Sequence, residues 1–201
     1  SILFSYYGQD GNNAAVTGGL GTEKLTDLTS KIIVNIALNE KETISFDGGF
    51  DLYTSASTDN IDNFVSSASR KDRRVHGNIG YSRKAKKDLT YGFKAGGSTE
   101  YDYQSLQFSA YVAKTSRDGN RTFGLSGQAF IDKWSLIYPR ELRSQGPWVT
   151  TDQRRSYSIS ASFSQVINKR MQASISADLV TQSGLLSTPF HRVYFADQAE
   201  A

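Results

Sequence analysis

From Ser156 to Ser164 every second residue is a serine, and Tyr157, Ile159, Ala161 and Phe163 fill the places between them. Successive side chains of a β-strand point to opposite faces, so a strand here carries one wall of hydroxyls and one of hydrocarbon. The same division recurs along the chain. In 42–54, Ile44, Phe46, Gly48, Phe50 and Leu52 share one face, and Thr43, Ser45, Asp47, Gly49, Asp51 and Tyr53 share the other. In 30–38, Ile32, Val34, Ile36 and Leu38 oppose Lys31, Ile33, Asn35 and Ala37. Uncharged faces follow at Val75, Gly77, Ile79, Tyr81, at Leu89, Tyr91, Phe93, Ala95, and at Leu106, Phe108, Ala110, Val112. Phe123, Leu125, Gly127, Ala129 and Ile131 form another, and Met171, Ala173, Ile175, Ala177 and Leu179 the last. The opposite faces carry His76, Asn78, Ser82, Lys94, Gln107, Ser109, Gln128, Asp132, Gln172, Ser174, Ser176 and Asp178. With a first strand near 2–7, the pattern predicts about nine strands, each close to the ~10 residues that a tilted strand needs to cross a bilayer.

The connections alternate in length. "NEKE", "KAKKD", "SRDGN" and "INKR" are tight, whereas "DGNNAAVTGGLGTEK", "SASTDNIDNFVSSASRKD", "STEYDYQS" and the stretch from about Lys133 to Arg155 are longer. Short turns at one end and long loops at the other are the habit of an outer-membrane barrel. The expected fold is therefore all-β, an antiparallel up-and-down transmembrane β-barrel forming a single domain over 1–201. Closure leaves lipid outside and water inside. On that reading Ile44, Phe46, Phe50, Tyr81, Tyr91, Phe93, Phe123, Ile159 and Phe163 face lipid. Lys31, Asp47, Asp51, His76, Lys94, Asp132, Ser158, Ser160 and Asp178 face the lumen. Tyr81, Tyr91, Phe123 and Phe163 sit beside the tight turns, where an aromatic girdle lies.

Composition narrows the class further. The chain has 201 residues, 17 glycines, 3 prolines and no cysteine. Disulfides, thiolate metal sites and a cysteine nucleophile are thus excluded. A formal charge of +3, with Lys and Arg scattered through turns, gives no basic face for nucleic acid. No apolar run reaches the ~18 residues of a membrane-spanning helix, and no basic-then-apolar leader opens the sequence. The competing architecture is a soluble antiparallel sandwich, a binding module whose apolar faces meet in a shared core. Loops sorted by length favour the barrel. Nine is an odd count where bacterial single-chain barrels are even, and "VYFADQAEA" follows the loop-like "QSGLLSTPFHR", so the chain is expected to be the N-terminal part of its barrel.

Few constellations carry chemistry. Asp59 and Asp62 in "TDNIDN" are the calcium candidates, though without EF-hand spacing, and a solvated loop tip explains them better. "DGNN" at 10–13 and "DGN" at 118–120 read as turns. An outer-membrane barrel enzyme hydrolysing lipid or ester would need a histidine beside a serine, and His76 is the sole strand histidine; its lumenal parity and polar neighbours point to a structural role. His191 lies in "STPFHRVYF". Two histidines and no cysteines leave no transition-metal centre. No catalytic residue or cofactor is expected. The mixed signs of the lumenal charges set no ion preference. "WSLIYPRELRSQGPWV" could fold inward, dock a partner or cap the rim.

The phrases "SYYGQDGNNAAVTGGLGTEKL", "FDLYTSASTDNID", "SSASR" and "LLSTPFHRVYF" span nearly the whole chain. Together they resemble a family of Gram-negative outer-membrane barrels, common in Bacteroidota, that carries only a domain-of-unknown-function label. The resemblance implies a bacterial outer-membrane location, further chain after "STPFHRVYF", and a lipoprotein or other envelope subunit as partner beside the membrane lipids. It implies no activity and no catalytic residue. The expected function is a non-enzymatic barrel serving as a porin-like passage for small solutes or as an anchor for envelope proteins.

Overall fold

Alternation over a run of residues favours extended backbone, and each run finds its partner in the next. The computed structural model describes residues 1–13, 20–54, 71–138, 144–146 and 149–187. Within them lie β1 (Ile2–Asn13), β2 (Leu20–Asn39), β3 (Glu42–Thr54), β4 (Lys71–Lys86), β5 (Leu89–Thr99), β6 (Tyr103–Thr115), β7 (Arg121–Ser135), β8 (Thr151–Asn168) and β9 (Met171–Gly184). They form one nine-stranded sheet in sequence order, and every adjacent pair is antiparallel. The sheet is open: β1 and β9 do not pair with each other. Among the described residues no helix is long and apolar enough to cross a membrane, a statement that does not bear on strands.

Register carries the two walls across all nine strands, because residues directly opposite in a ladder share a face. Ile44 stands between Ile36 and Tyr81, Tyr81 faces Phe93, and Phe46 faces Ile79. Farther along, Tyr91 faces Val112, Phe123 faces Phe163, and Ile159 lies between Gly127 and Leu179. The hydroxyls and charges fall together on the other face: Gly49 between Lys31 and His76, Lys94 opposite Ser109, Asp132 opposite Arg154, and Ser160 between Ser126 and Asp178.

Exposure divides the faces in the sense opposite to a water-soluble sheet. Phe93 and Ile159 are each 58% exposed and Leu179 76%, whereas Asp132 is 3% exposed and Asp47 9%. The described chain has no second layer over its apolar face, and its buried hydrophobic residues are only Leu136 and Tyr138. The shared dry core that a sandwich requires is absent from the described residues. One cavity on the polar face is lined from β3 to β9, by Tyr53 at one end and Gln182 at the other. Flat strands ~4.8 Å apart would spread those seven strands over about 29 Å. Side chains two strands apart meet on the polar face, Lys94 of β5 with Asp47 of β3 and Arg154 of β8 with Tyr103 of β6, so the sheet curls with that face inward.

The strand ends depart from the sequence reading. "DGNN" at 10–13 is no turn: Asp10 and Gly11 continue β1 opposite Lys24 and Glu23, with the register shifting between Gly11 and Asn13. A ladder already in register extends at little further entropic cost, so pairing overrides local turn preference there. "STEYDYQS", read as one of the longer connections, contains only the residues 100–102 outside the ladder. Thr99 pairs with Gln104, and the Glu100 amide donates to the Tyr103 carbonyl at 2.7 Å. "SRDGN" is a turn as expected. Gly119 adopts φ +73°, a region open to glycine, and Ser116 donates to the Asp118 carboxylate.

Candidate functional site

The charged residues of the polar face assemble into paired groups instead of isolated charges. Asp47, nearly enclosed, has Lys94 Nζ 2.6 Å from Oδ2 and Lys31 Nζ 3.7 Å from Oδ1, and it accepts a hydrogen bond from Asn78 Nδ2 at 2.9 Å. Lys94 reaches it from β5 across the whole width of β4. Gly80 makes room for that crossing, since a Cβ there would stand 2.6 Å from Ser45 Oγ and 3.7 Å from Lys94 Cγ. A buried carboxylate must be hydrogen-bonded and paired, and this one is both.

His76 Nδ1 lies 3.7 Å from Asp51 Oδ2, and Ser98 stands directly opposite His76 on β5. That is the order of an acid, a base and a hydroxyl. The Nδ1 atom is nevertheless buried without a hydrogen bond, and no hydrogen bond joins the histidine to the serine. A nucleophile needs its base within about 2.6–3.2 Å, often somewhat looser before substrate binds. Ser158, Ser160 and Asp178 sit apart from this group on β8 and β9, in a wall where Ser160 faces Asp178 and Ser158 faces Val180.

A third group lies at the rim where the longer connections emerge. Arg154 of β8 donates from Nε to Asp132 Oδ2 at 3.1 Å and from Nη2 to the Tyr103 hydroxyl. Its guanidinium stacks 5.3 Å from the Tyr103 ring centre and 5.9 Å from that of Trp134. Tyr103 and Trp134 meet edge to face. From the neighbouring side, the Tyr53 hydroxyl donates to Glu100 Oε2 at 3.3 Å and sits at 3.5 Å from Asp72, while Arg74 lies 3.5 Å from Glu100. Burial pushes the carboxyls of Glu100 and Asp102, in the turn, above their ordinary values. Asp72 adds repulsion in both cases, opposed by Arg74 at Glu100 and by the Trp134 side chain at Asp102. These groups line a cavity of about 830 Å³.

Of the residues assigned from sequence, all nine lipid-side residues share one face and all nine lumen-side residues the other. Asp47, Lys31 and Lys94 are brought together; so are Asp51 and His76; Asp132 joins the rim group. The calcium candidates Asp59 and Asp62, and His191, lie outside the described residues. Among the described residues no cluster of three His, Asp or Glu side chains is placed to hold a metal ion. Sequence reasoning missed Asp72, Arg74, Glu100, Asp102, Tyr103 and Arg154 as site residues. Parity held the signal for four of them, since Asp72 and Arg74 are in phase with His76, Tyr103 with Gln107, and Arg154 with Ser156.

The connection after β7 is packed and hydrogen-bonded at its base. Leu136 and Tyr138 are buried, the Leu136 amide donates to the Thr150 carbonyl at 2.9 Å, and the Tyr138 hydroxyl donates to the Val149 carbonyl at 2.9 Å.

The model of one protein family, described as "Protein of unknown function (DUF3570)", matches residues 52–200. Neither a curated protein nor a solved structure matches the chain.

Proposed function

The chain belongs to the family described as "Protein of unknown function (DUF3570)", and we propose that it forms the wall of a transmembrane β-barrel of the bacterial outer membrane, non-enzymatic, with a polar interior that passes small solutes. One observation carries this reading: the hydrocarbon face is the exposed face, and the charged face is the sheltered one. In water such a sheet would expose a far larger apolar patch than the few hundred Å² usual for a soluble monomer. Against lipid tails the same surface needs no cover.

The dimensions agree. On the apolar face of β7, uncharged residues run from Phe123 to Ile131, bounded by Arg121 and Lys133; on β4 Arg73 and Arg83 bound the same band. Phe123 to Ile131 measures about 26 Å along the strand at ~3.3 Å per residue, or about 20 Å upright at a tilt of ~40°. The charged residues then stand near the two interfaces of a ~25 Å apolar band.

The reading requires that the two sheet edges be closed. β1 and β9 run in the same direction, so they can join each other only as a parallel pair. An odd number of further antiparallel strands between them gives an even-numbered barrel.

Single-channel recording of the complete chain in planar bilayers tests the passage. Steady unitary conductance is expected. A silent barrel that copurifies with a lipoprotein or another envelope subunit would establish the anchor role instead. A lipid or ester hydrolase activity abolished by His76→Ala would overturn the non-enzymatic assignment, with Asp51, His76 and Ser98 as its machinery.

A further inference from the structure

Among the described residues, the rim cavity differs from the rest of the polar face because the charges lining it do not balance. The deeper carboxylate, Asp47, has two lysines on it. Around the rim cavity stand the carboxylates Asp72, Glu100, Asp102 and Asp132 against the guanidiniums of Arg74 and Arg154. Arg154 is engaged by Asp132 and Arg74 by Glu100. Among the described residues Asp72 and Asp102 have no cationic partner: Asp72 accepts from the Arg73 amide at 2.7 Å and lies 3.5 Å from the Tyr53 hydroxyl, and Asp102 is held by its own amide and the Trp134 side chain.

A second, independent sign lies in the wall. Asp132 is 97% buried, with its side chain 3% exposed, and its Oδ1 carries no hydrogen bond. A buried carboxylate oxygen without a donor is an unmet demand for a hydrogen bond, stronger for a charged group than for a neutral one. The remaining wall is aromatic: Tyr53, Tyr103, Phe130 and Trp134 line the same space. Arg154 already lies over two of these rings, so the cavity accommodates a delocalised cation on an aromatic surface.

We propose that this cavity binds an organic cation, a small solute bearing an amine or guanidine on a short apolar body, at the outer mouth of the passage. The carboxylates are spread around about 830 Å³ and do not converge as metal ligands do, which suits an extended cation with separated donors. Ammonium and guanidinium donors meet the carboxylates of the turn, and the apolar body lies against the rings. Anionic solutes are disfavoured by the same surplus of negative charge. The inference deepens the passage reading by naming its solute class, but the binding itself needs no membrane.

The probe is agmatine, which carries a guanidine and an amine on a four-carbon chain. Titration into the complete chain in detergent micelles, followed by calorimetry and by Trp134 fluorescence, is expected to show saturable binding. Glutamate and methyl glucoside serve as anionic and neutral counterparts and are expected not to bind. Glu100→Gln with Asp102→Asn weakens agmatine at least about tenfold, the loss of one or more charge-assisted contacts. Both residues lie in the turn outside the ladder, so the sheet is expected to persist, and circular dichroism checks it. Should the double variant misfold, Asp102→Asn alone carries the comparison. Asp118→Asn, in an exposed turn at the opposite rim, keeps wild-type affinity.

No saturable binding by the wild-type chain overturns the proposal. So does equal binding of glutamate or the glucoside, or affinity untouched by the turn substitutions. Conductance separates this from the passage reading: a conducting chain that ignores agmatine sinks the site alone, and a silent chain that binds it sinks the passage alone.

Discussion

Ile159→Arg set beside Ser160→Arg opposes the two walls at neighbouring positions of one strand. Ile159 is 58% exposed and lies between Gly127 and Leu179 on the hydrocarbon face. It stands four residues from Arg155, the nearest charge on that face of β8, about 13 Å along the strand at ~3.3 Å per residue. Its partner Gly127 is the midpoint of the uncharged run from Phe123 to Ile131 on β7, so Ile159 lies near the middle of that band. Arginine at a bilayer midplane on the lipid face costs about 2–4 kcal/mol, so the folded-to-unfolded ratio falls by about 30- to 900-fold. Were that face bathed in water, the same change at an exposed position would lie within about ±0.5 kcal/mol. At Ser160 the new guanidinium points inward, opposite Asp178 and Ser126, and finds a carboxylate and hydration. Its cost is expected near zero. The assay is urea titration of the complete chain folded into lipid vesicles, with the folded fraction read from heat-modifiable migration on gels. Equal tolerance at the two sites, or a greater loss at Ser160, refutes the assignment of the walls.

Asp47→Asn keeps the approximate shape at the hub of the interior but frees Lys31 and Lys94 from their shared carboxylate; because both lysines retain some exposure, a loss of about 1–3 kcal/mol is expected. The reversal potential under a salt gradient should move toward anions, and an unchanged potential would contradict the pairing. The rim carboxyls predict a pH dependence. Glu100 and Asp102 hold protons more tightly in the folded chain than their ordinary values of 4.5 and 3.8. Their contribution to folding is thus fully present below those ordinary values and lost as pH rises through the raised ones. Cation binding runs the other way, since it needs the charged carboxylates. Agmatine affinity should fall as pH is lowered, with the decline beginning above 4.5; calorimetric affinity constant from pH 7 down to 3.8 would rule it out.

The faces were legible in the sequence because alternation with period two survives any strand register, and a one-residue slip would have put Asp47 or Lys94 among Phe46 and Phe93. Strand ends were not. Beyond the apolar band the two faces are both polar, as at Asp10 opposite Lys24, so parity no longer marks where a ladder stops. Turn-prone residues then mislead, and "STEYDYQS" looks like a loop although Ser98, Thr99 and Gln104 pair. The rim site was hidden for a different reason. Tyr53, Glu100, Trp134 and Arg154 are far apart in sequence, and what gathers them is curvature. Parity reports which way a side chain points, not how tightly the sheet bends, so the partners of Asp132 were invisible while its direction was plain.

Curvature also sets the last requirement. Every residue of β9 is exposed, Ile175 at 70%, and β1 is similarly bare, Ile2 at 80%. Within hydrocarbon, backbone amides and carbonyls along both edges must be paired, because no water reaches them. Direct pairing of β1 with β9 would be parallel, the lone exception among antiparallel ladders. Intervening strands avoid it and restore an even count. These 201 residues hold no cysteine, so the test needs only that any cysteine elsewhere in the complete chain be replaced by serine first. A cysteine at Ser5 can be combined in turn with one at Ser174, Ser176, Asp178 or Val180, all on the polar face. Disulfides require Cα atoms within about 7 Å, so under mild oxidation the assembled complete chain should form none of the four. A bridge at any of them would place the edges side by side and show that the sheet closes on itself.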